Sequence, residues 1–337
     1  MNKNKKVVHM YNVHSPFPGL YSLILNEKNN LKKNIFSFFL KRKLEKKKFI
    51  KNIIDNNFYN FNKLNKKKLK ILDLGCGTGE NTVAFSQYFF KSKIIGVDAS
   101  KASIKLANKL KNFLNLKNLD FKIKNIQNEN LNKLGKFNFI ICAGVLHHLS
   151  NPKKELIKIT KILDKKGILI LKIYNKNGLF LEMQTRSAIK KLFPDEKNFA
   201  NSLNFVKRSK LKRGLQKHGY PSGKNIGKIF FKLRGIWEFV KSFGTSPYFS
   251  LKKFSTEEYD AFINPIVHYY DSKKIKELIA NTNLKLINFY FDTSYSINFN
   301  ELINEKLKTK DIYKILDIKE KLLGPAITKL ILKKKTK

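Results

Sequence analysis

The residues best placed to do chemistry sit in one short string, Asp73-Leu74-Gly75-Cys76-Gly77-Thr78-Gly79. An apolar run, Ile71 to Leu74, leads straight into three alternate glycines, and a helical stretch follows from Glu80. Glycine tolerates positive φ and carries no Cβ to stand in a ligand's way. Such a backbone can lie flat against a bound molecule at a helix N-terminus, where free N–H groups and positive potential suit a carboxylate. A second acid, Asp98, closes the run Ile94-Ile95-Gly96-Val97. An ionised carboxylate only accepts hydrogen bonds, which suits the two hydroxyls of a ribose. The other reading of Asp98 is a loop acid, or a cap for the helix after Ser100. His147 and His148 follow a further apolar run and also admit two readings. Either they supply a base that titrates near neutrality, or one ring packs and the other caps the loop. Tyr174 ends another apolar run and is expected to face the same cleft. Asp260, Pro265 and His268 share the string Asp260-Ala261-Phe262-Ile263-Asn264-Pro265-Ile266-Val267-His268. Asp260 and His268 either take an acceptor-side role or fix a lid over the cleft.

These side chains need a frame, and the apolar pattern supplies one. Strands are predicted at Lys70–Leu74, Lys93–Val97, Asp120–Lys124, Asn138–Cys142 and Ile168–Ile173. Helices are predicted after Glu80, after Ser100 and over Pro152–Leu163, with Gly167 breaking the chain before the fifth strand. Strands alternating with helices imply a mostly parallel sheet covered on both faces. Every loop of interest then falls at the C-terminal edge of that sheet, where open α/β folds bind ligands. Residues 176–268 interrupt the rhythm with Gly, Pro and aromatics among lysines and read as a lid or substrate insertion. The rhythm returns with a helix at Ser272–Ala280 and a strand at Leu284–Phe291. The tail from Glu301 reads as helical, with Ala326–Leu332 equally readable as a closing strand. Residues 1–67 carry two amphipathic helical patterns, Ile35–Leu40 and Phe49–Ile54, and form an N-terminal extension. That extension packs on the core or caps a cleft, or else lies on a membrane surface.

The string 73–79 resembles motif I of class I S-adenosylmethionine-dependent methyltransferases, where an acid two positions before the first glycine is typical. It differs from the dinucleotide fingerprint GxGxxG, since the third glycine comes one position early. The segment Phe137 to Leu149, with its Val-Leu-His-His-Leu, resembles the fourth strand and loop of ubiquinone/menaquinone-type and other small-molecule methyltransferases. The resemblance covers residues 68–175, about a third of the chain. It implies a Rossmann-like α/β fold with a seven-stranded sheet, whose core spans 68–175 and is completed by 269–337. It also implies S-adenosylmethionine as cofactor, held by Asp73, Gly75, Cys76, Gly77 and Gly79. Asp98 would take the ribose and Ala99 would lie near the adenine. Asn125, where many relatives have Asp, would meet the adenine amino group, and Cys142, Ala143 and Gly144 would flank the sulfonium. The reaction implied is methyl transfer to a small organic acceptor, at oxygen, with His147, His148, Tyr174, His268 and Asp260 as the candidate catalytic residues.

Composition bounds the alternatives. The net charge is +44, yet only five of the 69 basic residues are arginine. Lys, Asn and Ile have AT-rich codons, so base composition alone yields such a make-up, and arginine forks suited to phosphates and base edges are scarce. An RNA methyltransferase is the runner-up, on the charge and on the mixed basic and aromatic stretch Phe205–Lys241. No RNA-binding module accompanies it. A non-catalytic protein that binds S-adenosylmethionine is a third reading, and the glycine spacing disfavours an NAD-binding oxidoreductase. Two cysteines without metal spacing, no signal pattern and no long apolar run fit a reduced cytoplasmic protein without a transmembrane segment. Six histidines without HExxH or a Cys-His cluster give no metal centre. The oligomeric state is not legible.

Overall fold

A computed structural model of the chain describes residues 3–13, 67–192, 264–291 and 310–335. The patterns at Ile35–Leu40 and Phe49–Ile54, the stretch Phe205–Lys241 and Asp260 lie outside the described residues. The chain divides into two compact units. One comprises Met1–Pro16, Glu27–Leu179 and Pro265–Lys337; the other comprises Phe17–Asn26 and Phe180–Asn264.

The first unit holds a seven-stranded sheet. Its strands are β1 (Lys70–Leu74), β2 (Lys93–Asp98), β3 (Leu119–Ile123), β4 (Phe137–Ala143), β5 (Leu163–Tyr174), β6 (Leu284–Phe291) and β7 (Ile327–Lys334). The order is β3-β2-β1-β4-β5-β7-β6. The first five are parallel, and β7 runs antiparallel to both β5 and β6. This is the seven-stranded, Rossmann-like sheet that the sequence resemblance implies. The central strands are buried along almost their whole length, as expected where helices cover both faces.

The helices in this unit follow from their caps and apolar stripes. They are α1 (Lys3–Val13), α2 (Glu80–Tyr88), α3 (Lys101–Phe113), α4 (Pro152–Ile162), α6 (Ser272–Ile279) and α7 (Ile312–Leu323). In α3, Ile104, Ala107 and Leu110 line the buried face at helical spacing, and Ser100 Oγ caps the start by accepting from Ser103 N at 3.1 Å. Asn151, Asp271 and Asp311 cap α4, α6 and α7 in the same way. The second unit contributes α5 (Phe180–Leu192), where the buried Arg186 guanidinium donates to the Asn264 carbonyl. No helix among the described residues is long and apolar enough to cross a membrane.

Two sequence expectations are refined. Gly167 lies inside β5 and does not precede it. The pairing of β4 with β5 jumps from Phe137↔Leu163 to Phe139↔Ile168, a bulge that folds the chain back on itself. A Cβ at Gly167 would stand 2.8 Å from Leu163 Cδ1 and 3.0 Å from Asp164 N, so a larger residue would have to displace the Leu163 side chain and crowd the backbone. The tail takes both of its readings, with α7 first and β7 after it.

A buried polar knot joins the sheet to its C-terminal elements. Asn175 is fully buried, and its amide donates to Glu320 Oε2 and Thr328 Oγ1, each at 2.9 Å. The other Glu320 oxygen accepts from Ser272 N at 2.8 Å. Burial pushes the Glu320 pKa up, and these donors oppose it. Replacing Asn175 by alanine strips a donor from a buried carboxylate. The expected cost is about 3 kcal/mol of unfolding free energy, read from urea denaturation.

Candidate functional site

Because β1 to β5 are parallel, their C-terminal ends share one edge, and the loops leaving them build the site. The glycine loop is tied down by the neighbouring strand. Gly75 N and Cys76 N both donate to Val97 O, at 2.7 and 3.0 Å, and Gly77 N donates to Asp98 Oδ2 at 2.9 Å. Gly75, Gly77 and Gly79 have φ of 73°, 54° and 85°, the left-handed region that side chains avoid. Space is the second constraint, and it comes from packing. A Cβ on Gly75 would overlap Val145 Cγ2, and one on Gly79 would come within 2.6 Å of Phe121 Cζ.

Asp98 is half-buried at the end of β2. Besides Gly77, it accepts from Ser100 N at 2.8 Å through Oδ1. Burial raises its pKa, while the N–H groups of Ser100, Gly77 and Ala99 pull it down. A carboxylate has about four acceptor positions, so two neighbouring hydroxyls can still be accommodated. Asp73 is placed differently. It is buried and accepts from Thr82 Oγ1 at 2.6 Å, which anchors the first turn of α2.

Thr78, within the loop, is also buried, and its Oγ1 finds no hydrogen-bond partner among the described residues. Ala99 is half-buried beside Asp98. Asn125 Oδ1 accepts from Gln127 N at 3.0 Å, which turns the chain after β3. At the end of β4, Cys142 is fully buried in the core, while Ala143 and Gly144 are half-exposed. Gly144 has φ 77° and open space where a Cβ would be. Neither thiol is poised to ionise. Burial first, then Asp73, pushes Cys142 up to about 12, and burial with Asp73 and Asp98 pushes Cys76 well above its usual value. The edge therefore offers a cradle of glycines at positive φ, an orphan hydroxyl, a carboxylate with spare acceptor sites and open space above Gly144. That set fits S-adenosylmethionine.

Beyond Gly144 lies an aromatic cluster. The His147 ring stacks on Tyr174 at 4.0 Å between centroids and meets His148 edge-on at 4.1 Å. Tyr174 stacks in turn on Tyr269 at 6.2 Å. Segment 266–268 is laced to this loop. His148 Nδ1 lies 2.9 Å from Ile266 O, His268 N donates to His147 O at 2.9 Å, and His268 Nε2 lies 3.0 Å from Leu149 O. A carbonyl only accepts, so Nδ1 of His148 and Nε2 of His268 each carry a proton. In the neutral rings the lone pairs then sit on His148 Nε2 and His268 Nδ1. Burial lowers the His268 pKa, and His148 and Lys274 add to the effect.

The structure thus brings His147, His148, Tyr174 and His268 together, at the same sheet edge as the glycine loop. Thr78, Val145 and Tyr269 were not singled out from the sequence. Thr78 stands inside the motif, and its own position was the available signal; Val145 and Tyr269 gave none. No three His, Cys, Asp or Glu side chains among the described residues gather as a metal set.

The chain is similar to known methyltransferases. Residues 65–230 match the family model described as a methyltransferase domain. An uncharacterized protein of Rickettsia prowazekii is 31% identical over 144 residues, covering 42% of this chain and 56% of that protein. The ubiquinone biosynthesis O-methyltransferase of the same organism is 24% identical over 208 residues, covering 60% of this chain and 78% of that protein. Among solved structures, PKMT2 from Rickettsia typhi in complex with AdoHcy superposes with a TM-score of 0.50 at 19% identity, covering 79% of this chain and 49% of that one. A second structure of PKMT2 from Rickettsia typhi gives 0.53, with 80% and 48% covered. At that identity the likeness is one of fold. The chain spans about half the length of PKMT2 and of the first of these relatives.

Asp98 sets a pH-dependent test. Its ionised form is the acceptor, and its pKa is raised, so affinity for S-adenosylmethionine should fall as pH drops, starting at a higher pH than for an ordinary aspartate. Asp98→Asn should weaken binding about 10- to 150-fold near neutrality and flatten that dependence, as read by calorimetric titration.

Proposed function

We propose that this chain, a class I S-adenosylmethionine-dependent methyltransferase, passes the methyl group to an oxygen of a small, flat organic acceptor. The observation that carries the reading is the His148 tautomer. Its Nδ1–H is held by Ile266 O at 2.9 Å, which turns the basic Nε2 edge away from that carbonyl, inside a stack of His147, Tyr174 and Tyr269. A base oriented by a carbonyl at its other nitrogen is the arrangement proton removal requires. The stacked rings favour a planar partner with little charge. The likeness to an enzyme named as an O-methyltransferase supports the same choice.

When bound, S-adenosylmethionine supplies a methyl carbon already activated by its sulfonium. The chain's own residues do the rest. In this reading Asp98 accepts from the ribose hydroxyls, and Ala99 and Asn125 border the adenine. The N–H groups of the glycine loop and the Thr78 hydroxyl meet the amino-acid end, with Asp73 setting the pitch of α2 beneath them. The backbone at Cys142, Ala143 and Gly144 flanks the methyl group. His148 Nε2 would take the proton that the acceptor's O–H gives up on methylation. Tyr174 and His147 orient the acceptor, and His268 holds the loop in place. Holding the two reactants in line supplies most of the acceleration.

A panel of phenols, catechols and alcohols incubated with methyl-labelled S-adenosylmethionine tests the reading. At least one is expected to gain label at oxygen. His148→Phe should lower kcat on it about 10²- to 10⁴-fold with cofactor binding retained. Label appearing in bulk RNA or protein and in none of the panel would overturn the small-molecule acceptor.

A further inference from the structure

Helix α1 is weakly built for a helix that keeps a fixed place. It has 11 residues and no acid in its first turn. Of its described side chains, Met10 alone is buried. A helix of this length is marginal on its own in water, so its seat is decided by what it touches.

It touches two places. Ser100 Oγ donates within range of Asn12 Oδ1 at 3.0 Å and of Tyr11 O at 3.2 Å, and Ala102 N reaches the same Asn12 oxygen at 3.4 Å. The Tyr11 ring meets His148 edge-on at 6.5 Å between centroids. Ser100 is the residue whose N–H holds Asp98 Oδ1, and His148 follows β4. One short helix therefore rests on two places along the same sheet edge, beside the carboxylate after β2 and beside the histidine after β4.

From this we infer that Asn12 is a positioning residue of the cofactor site. It acts through Ser100 on Asp98, and α1 is the cover that settles over bound S-adenosylmethionine. The inference rests on the cofactor reading above. The coupling runs both ways: if seating α1 strengthens cofactor binding, the cofactor strengthens the seating of α1 by the same factor. A helix with so little buried surface of its own has the most to gain from a ligand beneath it.

The test is amide hydrogen exchange on the full chain, with and without S-adenosylmethionine, beside calorimetric affinities of variants. Exchange at residues 7–13 is expected to slow at least tenfold when the cofactor is added. Asn12→Ala should bind the cofactor about fivefold more weakly and lose that protection, since one net hydrogen bond is removed. Asn12→Asp keeps an acceptor oxygen at the start of α3 and should restore both. The thermal midpoint of the cofactor-free protein should be the same for all three, which separates positioning from folding. Unchanged exchange in α1 while the parent protein binds S-adenosylmethionine would overturn the inference alone. So would an Asn12→Ala variant with the parent's affinity. A parent protein that does not bind would overturn the cofactor reading and this inference with it.

Discussion

The carboxylate of Asp98 is the joint on which the functional edge turns. One oxygen takes the N–H of Gly77 and the other takes the N–H of Ser100. The glycine loop after β1 and the start of α3 after β2 are thereby held at a fixed separation by one side chain. Both donors come from backbone, so no other side chain is needed to keep the carboxylate ionised in a place where burial opposes its charge.

The glycines tell a related story. A glycine-rich loop is commonly explained by the ligand's need for room. Here Gly75 and Gly79 are demanded at least as much from within, by Val145 and by Phe121. Gly96 belongs to the same set, since a Cβ there would lie 2.6 Å from two atoms of the Phe121 ring. Phe121 thus fills a slot between β2 and the loop that two glycines keep open. The backbone takes positive φ that glycine adopts freely and side chains avoid, and packing against Val145 and Phe121 holds it, so the protein's own contacts set the loop's shape. Preorganisation of this kind lowers the entropy lost on binding.

The frame was legible because burial on both faces leaves unbroken apolar runs. The strands at Lys70–Leu74 and Leu284–Phe291 coincide with the sequence expectation, and those around Lys93, Asp120 and Asn138 differ by a residue or so at an end. The fifth strand was read short because a glycine signals a break, and periodicity does not distinguish a break from a bulge. The aromatic cluster was half legible: His147, His148, Tyr174 and His268 were named, but the stacking of Tyr174 on His147 and Tyr269 depends on how segment 266–270 returns to the sheet. That return is fixed by backbone hydrogen bonds such as Tyr270 N to Tyr174 O at 3.0 Å, which leave no mark on composition. The burial of the Cys142 side chain was not legible either, since it follows from which way β4 turns that residue into the core.

The single reversed strand has a consequence for the making of the sheet. β7 lies between β5 and β6, although β6 precedes it in the chain. As the polypeptide lengthens, β6 has no neighbour in the sheet until β7 has been made and has slid in beside it. In the half built from β3, β2, β1, β4 and β5, every pairing except that of β1 with β4 spans about one helix's length of chain. The other half must wait for pairings such as Leu171↔Leu330, which close a very long loop. Until then the flank of β5 is an open, apolar edge, the kind that recruits strands from other chains. The last of the described strands is therefore the one that shields the nascent sheet from its neighbours.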